Sequence, residues 1–200
     1  MKPVQVGELL GLAEYEKIRD HFRARVIAEK KARRVQLGPK VSMVFENHDT
    51  VLLQIQEMLR TERITRPAAV QHELDTYNEL IPGPNELSAT LMIEIPDKPE
   101  REEFLVAANG LEKHVWIATG TLRVGAKASA RDGVQPDRTT AVHYLKFSLP
   151  PPLSNALKGG ASGEQTLTHI DIVIDHPAYG VRAVLPAEAL MALGEDLSGG

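Results

Sequence analysis

Two hundred residues, 42% of them hydrophobic but only 4% aromatic, suffice for one buried core built mainly of Leu, Ile, Val and Ala. A net charge of −4 and a pI near 6.0 speak against a surface that binds polyanions over the whole protein. The absence of cysteine excludes disulfides, thiolate zinc sites, a cysteine nucleophile and an iron–sulfur cluster held by this chain.

The start, MKPVQVGELLGLAEYEK, carries no apolar region of signal-peptide type. No apolar run approaches the roughly 18 residues of a membrane span, so membrane insertion is not expected and a cytoplasmic protein is. Leu12, Tyr15, Ile18, Phe22, Val26 and Ile27 recur at near-helical spacing and predict a helix from about Ala13 to Val35. Its second half, RARVIAEKKARR, is strongly basic, and Gly38-Pro39 stops it. In VSMVFE, Val41, Met43 and Phe45 alternate with Ser42, Val44 and Glu46, the pattern of a strand. Asp49 or Thr50 can cap a helix ending near Ile64, and Pro67 sits in the first turn of another that runs to about Leu80.

Strand patterns dominate after Pro82-Gly83-Pro84. ELSATLMIEI, VWIATGTLRV, TAVHYLKFSL and THIDIVID each read as a strand, and YGVRAVL as a shorter one. KPEREEFLVAANGLEK reads as a helix between the first two, RDGVQPDR as a hairpin loop and PPPLSNALKGGASGEQ as a mobile surface excursion. PAEALMAL closes the chain as a helix and LSGG frays. Helices followed by runs of strands imply an α+β fold. The expectation is one domain, with an antiparallel or mixed sheet of about five to six strands covered by the N-terminal helices. The helical part spans about 10–82 and the sheet-rich part about 83–195.

Familiar catalytic signatures are missing. No Gly-rich turn leads from a strand into a helix as a phosphate cradle requires, and Gly160-Ala161-Ser162-Gly163-Glu164 lacks the second glycine of a nucleophile elbow. There is no His-Glu-x-x-His and no Glu-x-x-His pair. In the helix after VSMVFE, Val51, Leu52, Ile55, Met58 and Leu59 form an apolar stripe, while Gln54, Gln56, Glu57, Arg60 and Arg63 lie mostly off it. Glu62 falls where the stripe would continue, which predicts partial burial. An antiparallel pairing with the next helix would present Gln54, Glu57, Glu73 and Tyr77 together. The competing reading is a solvated face whose ion pairs are each worth little.

His143 shares the apolar side of its strand with Leu145 and Phe147, as a hydrogen-bonded core histidine would. His169, Asp171 and Asp175 share a face opposite Ile170, Ile172 and Ile174, which suits either a metal site or an ordinary solvated sheet face. The basic run of Arg23, Arg25, Lys30, Lys31, Arg33, Arg34 and Lys40 suits an acidic partner, or a solvated helix end complementing its dipole. Without interleaved aromatics it does not suit nucleic acid.

The segments KKARRVQLG, FENHDTVLLQIQEMLRTERI, ELDTYNELIPG, LSATLMIEI and TAVHYLKFSL, in that order, resemble an uncharacterised bacterial family known only as a domain of unknown function. The likeness runs from the first helix to the fourth strand and weakens after Pro150. Members of that family are often encoded beside rubrerythrin-like proteins and iron–sulfur oxidoreductases related to a subunit of an anaerobic glycerol-phosphate dehydrogenase. The resemblance therefore implies a redox or peroxide-stress setting, which is an association and not a mechanism.

Three readings follow for the polar residues of those segments. The first is a non-catalytic docking or assembly module contacting its partner through Arg33, Arg34, Gln54, Gln56 and Arg60. The candidate partners are a rubrerythrin-like protein, an iron–sulfur oxidoreductase or a second copy of the chain. The second is a metal-binding protein or metal-dependent enzyme, with Glu57, Glu73 and either Glu46 or His143 as ligands for iron, manganese or zinc. The third is a buried hydrogen-bond network that fixes helix-on-sheet register.

Overall fold

The structure is a computed structural model and describes residues 1–129, 136–162 and 169–199. A short 3-10 turn, Val6–Glu8, precedes α1, Leu12–Ala32. The helix stops earlier than its periodicity suggests, because Arg34–Leu37 is a strand, β1. Val35 and Leu37 are buried while Arg34 and Gln36 are exposed, a two-residue period hidden in the sequence by the flanking charges. β1 pairs antiparallel with β2, Val41–Glu46, and Gly38 turns the hairpin at φ +69°, a conformation open to glycine at little cost.

Next come α2, His48–Thr61, and α3, Pro67–Asn78. Asn47 caps α2 by accepting from the Thr50 N–H, and its own N–H donates to the Thr50 hydroxyl, so the FENHDT segment encodes a helix start. β3 spans Glu86–Ile93, α4 Lys98–Ala107, β4 Val115–Thr119, β5 Leu122–Gly125 and β6 Lys127–Ala128. β7 is Val142–Ser148, α5 Pro151–Ser162, β8 Asp171–His176, β9 Tyr179–Val184 and α6 Ala187–Ser198.

The fold is α+β, as expected, but the strands form two antiparallel sheets. One has five strands in the order β1-β2-β3-β7-β6, the other four in the order β5-β4-β8-β9. VWIATGTLRV is a hairpin rather than one strand, because Gly120, at φ +54°, folds it back on itself. The strand at 41–46 pairs along its whole length with β3. Between β5 and β6 stands the single residue Ala126, where the chain passes from one sheet to the other.

The inner faces of the two sheets meet in the main core. Met43, Phe45, Leu91, Leu145 and Phe147 of the larger sheet and Ile117 and Ile172 of the smaller are all fully buried. Each such side chain contributes about 1.5–3 kcal/mol on burial. α4 closes one end, where Phe104 packs edge-on against Tyr179 at 5.4 Å. α5 and α6 close the other, through Leu153, Leu157, Ala189 and Leu193. The proline-rich segment at 151–162 is thus a helix and not a mobile excursion, because Pro151 and Pro152 fall in its first turn and Leu153 and Leu157, one turn apart, are each 1% exposed. Residues 131–135 of the expected hairpin loop lie outside the described residues. α1, α2 and α3 form a third layer over the outer face of the five-stranded sheet.

Candidate functional site

The helical layer does not seal the sheet beneath it. Val51, Ile55 and Leu59 of α2 pack with Leu74 of α3, but their apolar stripe is completed by the N-terminal segment through Met1, Val4 and Leu9. Two side-chain amides fasten that segment. Gln56 accepts from the Leu10 N–H at 2.6 Å and donates to the Leu10 carbonyl at 3.3 Å; Asn78 does the same to Val4, at 2.8 and 2.9 Å. With its stripe satisfied in this way, the hairpin meets the sheet where Tyr77 and Leu80 pack with Tyr144 of β7, and a cleft remains.

Strand register decides what the cleft floor displays. Across the sheet, Lys127 stands beside Lys146, Lys146 beside Ser88, and Ser88 beside Glu46. The next row reads Tyr144, Thr90, Val44, Arg34. Paired residues share a face, so both rows point toward the helices. Two cavities result. One, of about 550 Å³, lies over Lys127, Lys146 and Ser148 under Thr76 and Tyr77 of α3. The other, of about 290 Å³, lies over Glu46, Thr90 and Arg34 under Gln54 of α2, beside Lys30 of α1. Tyr77, Leu80 and Tyr144 line both.

The charges within the cleft are partly committed. Glu46, 7% exposed, accepts from the hydroxyls of Thr50 and Thr90 at 2.5 and 2.6 Å. Arg34 donates to Ser42 and to Glu94, and hydrogen bonds to the Glu94 carboxylate, from Ser42 first and then from Arg34, hold that carboxyl below its usual range. Burial opposes ionisation of Glu86, yet the Gly83 N–H and the Lys146 ammonium keep its carboxyl below the ordinary value. Among the described residues, Lys30 and Lys127 enter no ion pair.

Of the residues singled out in the sequence, Arg34, Glu46, Gln54 and Tyr77 come together here. The others do not. Arg33 is 5% exposed and bound through both terminal nitrogens to Asp196 of α6, so it offers no docking surface. Gln56, expected off the apolar stripe, is 2% exposed because it serves Leu10. Arg60 pairs with Glu16 at 2.6 Å. Glu57 turns to α1, where Arg19 holds it by two bonds of 2.8 Å and the Tyr15 hydroxyl by one of 2.7 Å. Glu73 is half-buried on α3 and does not line either cavity. His143 is fully buried on the inner face of the sheet, 2.8 Å from the Thr139 hydroxyl and on the opposite side from Glu46. Glu62, expected to be partly buried, is exposed at the C-cap of α2. Among the described residues no group of three or more His, Asp or Glu side chains is placed to hold a metal.

The residues that sequence reasoning missed are Ser88, Thr90, Lys127, Tyr144 and Lys146. For Ser88, Thr90, Tyr144 and Lys146 the signal is the alternation of β3 and β7 against the buried Leu87, Ala89, Leu145 and Phe147, whereas Lys127 lies on the two-residue β6, too short to show one. On the smaller sheet, Asp171, 8% exposed, pairs with Arg182, and Asp175 accepts from Trp116 and Arg123, so the two aspartates are engaged in ion pairs of that face.

The profile of one protein family, a protein of unknown function, matches residues 3–197, well past Pro150. The crystal structure of a protein of unknown function from Burkholderia pseudomallei K96243 superposes with a TM-score of 0.89 at 34% identity, over 98% of this chain and 100% of that one. No curated protein matches the sequence. Among the described residues, no helix is long and apolar enough to cross a membrane.

Proposed function

This chain belongs to the DUF3501 family, and we propose that it is a non-catalytic binding module whose recognition element is the cleft between the α2–α3 hairpin and the five-stranded sheet. One observation carries this reading. A sheet face roofed by helices is ordinarily apolar, yet here two registered rows with Lys127, Lys146, Ser88, Glu46, Tyr144, Thr90 and Arg34 face cavities of about 550 and 290 Å³. Mostly apolar walls with a few convergent polar groups are the general form of a ligand site. The resemblance to proteins encoded beside rubrerythrin-like and iron–sulfur partners supports a redox assembly as the setting. Of the five docking candidates, Arg34 and Gln54 are exposed and Arg60 is half-buried, while Arg33 and Gln56 are engaged inside the fold.

The test fills the cleft from its rim. Gln54 and Ser148 are exposed, so Gln54→Trp and Ser148→Trp add bulk without disturbing the core. Wild type recovered from native lysate and analysed by native mass spectrometry should retain a small molecule or partner, including any rubrerythrin-like or iron–sulfur protein, that both filled variants lose. Identical retention by all three proteins would rule the cleft out as the recognition element.

A further inference from the structure

Resting on that reading, we propose that the larger cavity binds a small organic anion, a carboxylate or phosphate ester on an apolar or aromatic body, with the Lys127–Lys146 pair as its oxyanion subsite. Lys127 and Lys146 are direct cross-strand neighbours on one face of an antiparallel pair. Side chains so placed start about 4.5–5.5 Å apart at Cβ, and like charges there repel. A fold keeps such a pair cheaply only if something negative sits between the two. Glu86 answers part of that need: its carboxylate lies 2.9 Å from the Lys146 ammonium and also accepts from the Gly83 N–H. Lys146 further donates to the Ile81 carbonyl at 3.2 Å. Among the described residues that leaves two lysines against one engaged carboxylate, with Lys127 of the edge strand acting on Glu86 only at longer range and in no ion pair.

The rest of the cavity specifies the body of the ligand. Ser88 and Ser148 put hydroxyls on the floor beside the lysines, groups that can donate to an oxyanion. Tyr77 and Leu80 supply an apolar wall opposite, and the Tyr144 ring continues it on the floor. Among the described lining residues Glu79 is the second acid, and it stands exposed on the rim. A volume of about 550 Å³ accommodates one drug-sized molecule and not a folded partner. A neutral ligand would leave the lysine repulsion unanswered, and an inorganic ion would leave the apolar wall uncovered.

The experiment is an amide NMR titration of the whole chain with four probes: hydrocinnamate, phenyl phosphate, hydrocinnamyl alcohol and inorganic phosphate. The two aromatic anions should shift the Lys127, Ser88 and Tyr144 resonances with Kd values at least about tenfold below that of the alcohol. Added salt should weaken only the anions. The tighter of the two anions identifies the oxyanion. Lys127→Gln should weaken the aromatic anions about tenfold and leave the alcohol unchanged, while Lys127→Arg keeps their affinity. Because Lys127 is exposed on a two-residue edge strand, both variants retain the fold. If the alcohol binds at the same resonances as tightly as the anions, or Lys127→Gln changes nothing, the oxyanion subsite is wrong and the cleft reading survives. If no probe moves any cleft resonance, the subsite falls together with the use of this cavity for small ligands; partner binding is judged separately by the filled-cleft variants.

Discussion

Gln56 of α2 meets Leu10 of the N-terminal segment as one peptide group meets another, its amide accepting from the Leu10 N–H at 2.6 Å and donating to the Leu10 carbonyl at 3.3 Å. A buried amide used in this way fixes the path of a strap that has no sheet to join. It explains why a core-facing helix carries glutamine at a position that is 2% exposed. Gln56→Leu keeps the volume and leaves two backbone groups without partners, at a cost of about 1–3 kcal/mol. Hydrogen exchange should then quicken at Leu10 and at Val4, which Asn78 holds on the same strap. Unchanged exchange at both amides would show that the amide clamp does not anchor the segment.

Arg33 and Asp196 join the end of α1 to the C-terminal helix, with side chains only 6% and 10% exposed. Arg33 Nε also lies 3.3 Å from Glu29, without a hydrogen-bond partner. Removing one member of such a pair strands the other charge, so Arg33→Met should cost about 3–5 kcal/mol in urea unfolding. The double variant Arg33→Met with Asp196→Leu should recover most of that loss, because apolar groups of similar size satisfy the same space. A double variant as unstable as the single one would mean that packing, and not the stranded charge, sets the cost.

The Arg19–Glu57 pair makes stability depend on acid. Its hydrogen bond from Arg19 is the main cause holding the Glu57 carboxyl below 4.5, against the opposing effect of burial and with help from Tyr15. A carboxyl depressed in the folded state contributes stability above its unfolded pKa and loses it as pH falls through the folded value. The gap between wild type and Glu57→Gln should thus be widest at neutral pH and shrink below 4.5. The pair is about a quarter exposed and screened by solvent, so the full gap is about 1 kcal/mol. Thermal unfolding at a series of pH values checks this, and a gap that stays constant across them would contradict it.

Gly38 leaves no room for a side chain. A Cβ there would lie 2.5 Å from the Tyr179 hydroxyl, which donates to the Leu37 carbonyl, and φ is +69°. Gly38→Ala should cost more than about 1 kcal/mol from backbone strain alone. Placed in a Tyr179→Phe background, where the obstructing oxygen is gone, the same substitution should cost less. Additivity of the two changes would indicate that the collision is relieved elsewhere.

The secondary elements were legible wherever a local rule had no rival. β2 carries Val41, Met43 and Phe45 at every second position, α2 and α3 have apolar stripes with a cap or an N-terminal proline, and β7 and β8 alternate around Leu145 and Ile172. β1 was not, because four alternating residues are too short a signal against the helix and charges before them. The reading of α5 failed for the opposite reason: Pro and Gly imply a loop, and only the burial of Leu153 and Leu157 selects a helix. The site followed the same logic. The polar side of FENHDTVLLQIQ was visible, but its residues divide among a helix cap, a strap clamp and the cleft, and nothing local assigns which goes where.

What the sequence determined by itself was the α+β class, the hydrophobic sides of most elements and the absence of any thiol chemistry, since each is a property of composition or of a short repeat. Only the tertiary structure decided the division into two sheets, the burial of Arg33, the separation of Glu46 from His143 across one sheet, and the pairing of Lys127 with Lys146. Those are consequences of register and of which layer covers which face. Register between strands distant in sequence is fixed when the whole core packs, because a one-residue slip would turn every buried side chain out to water.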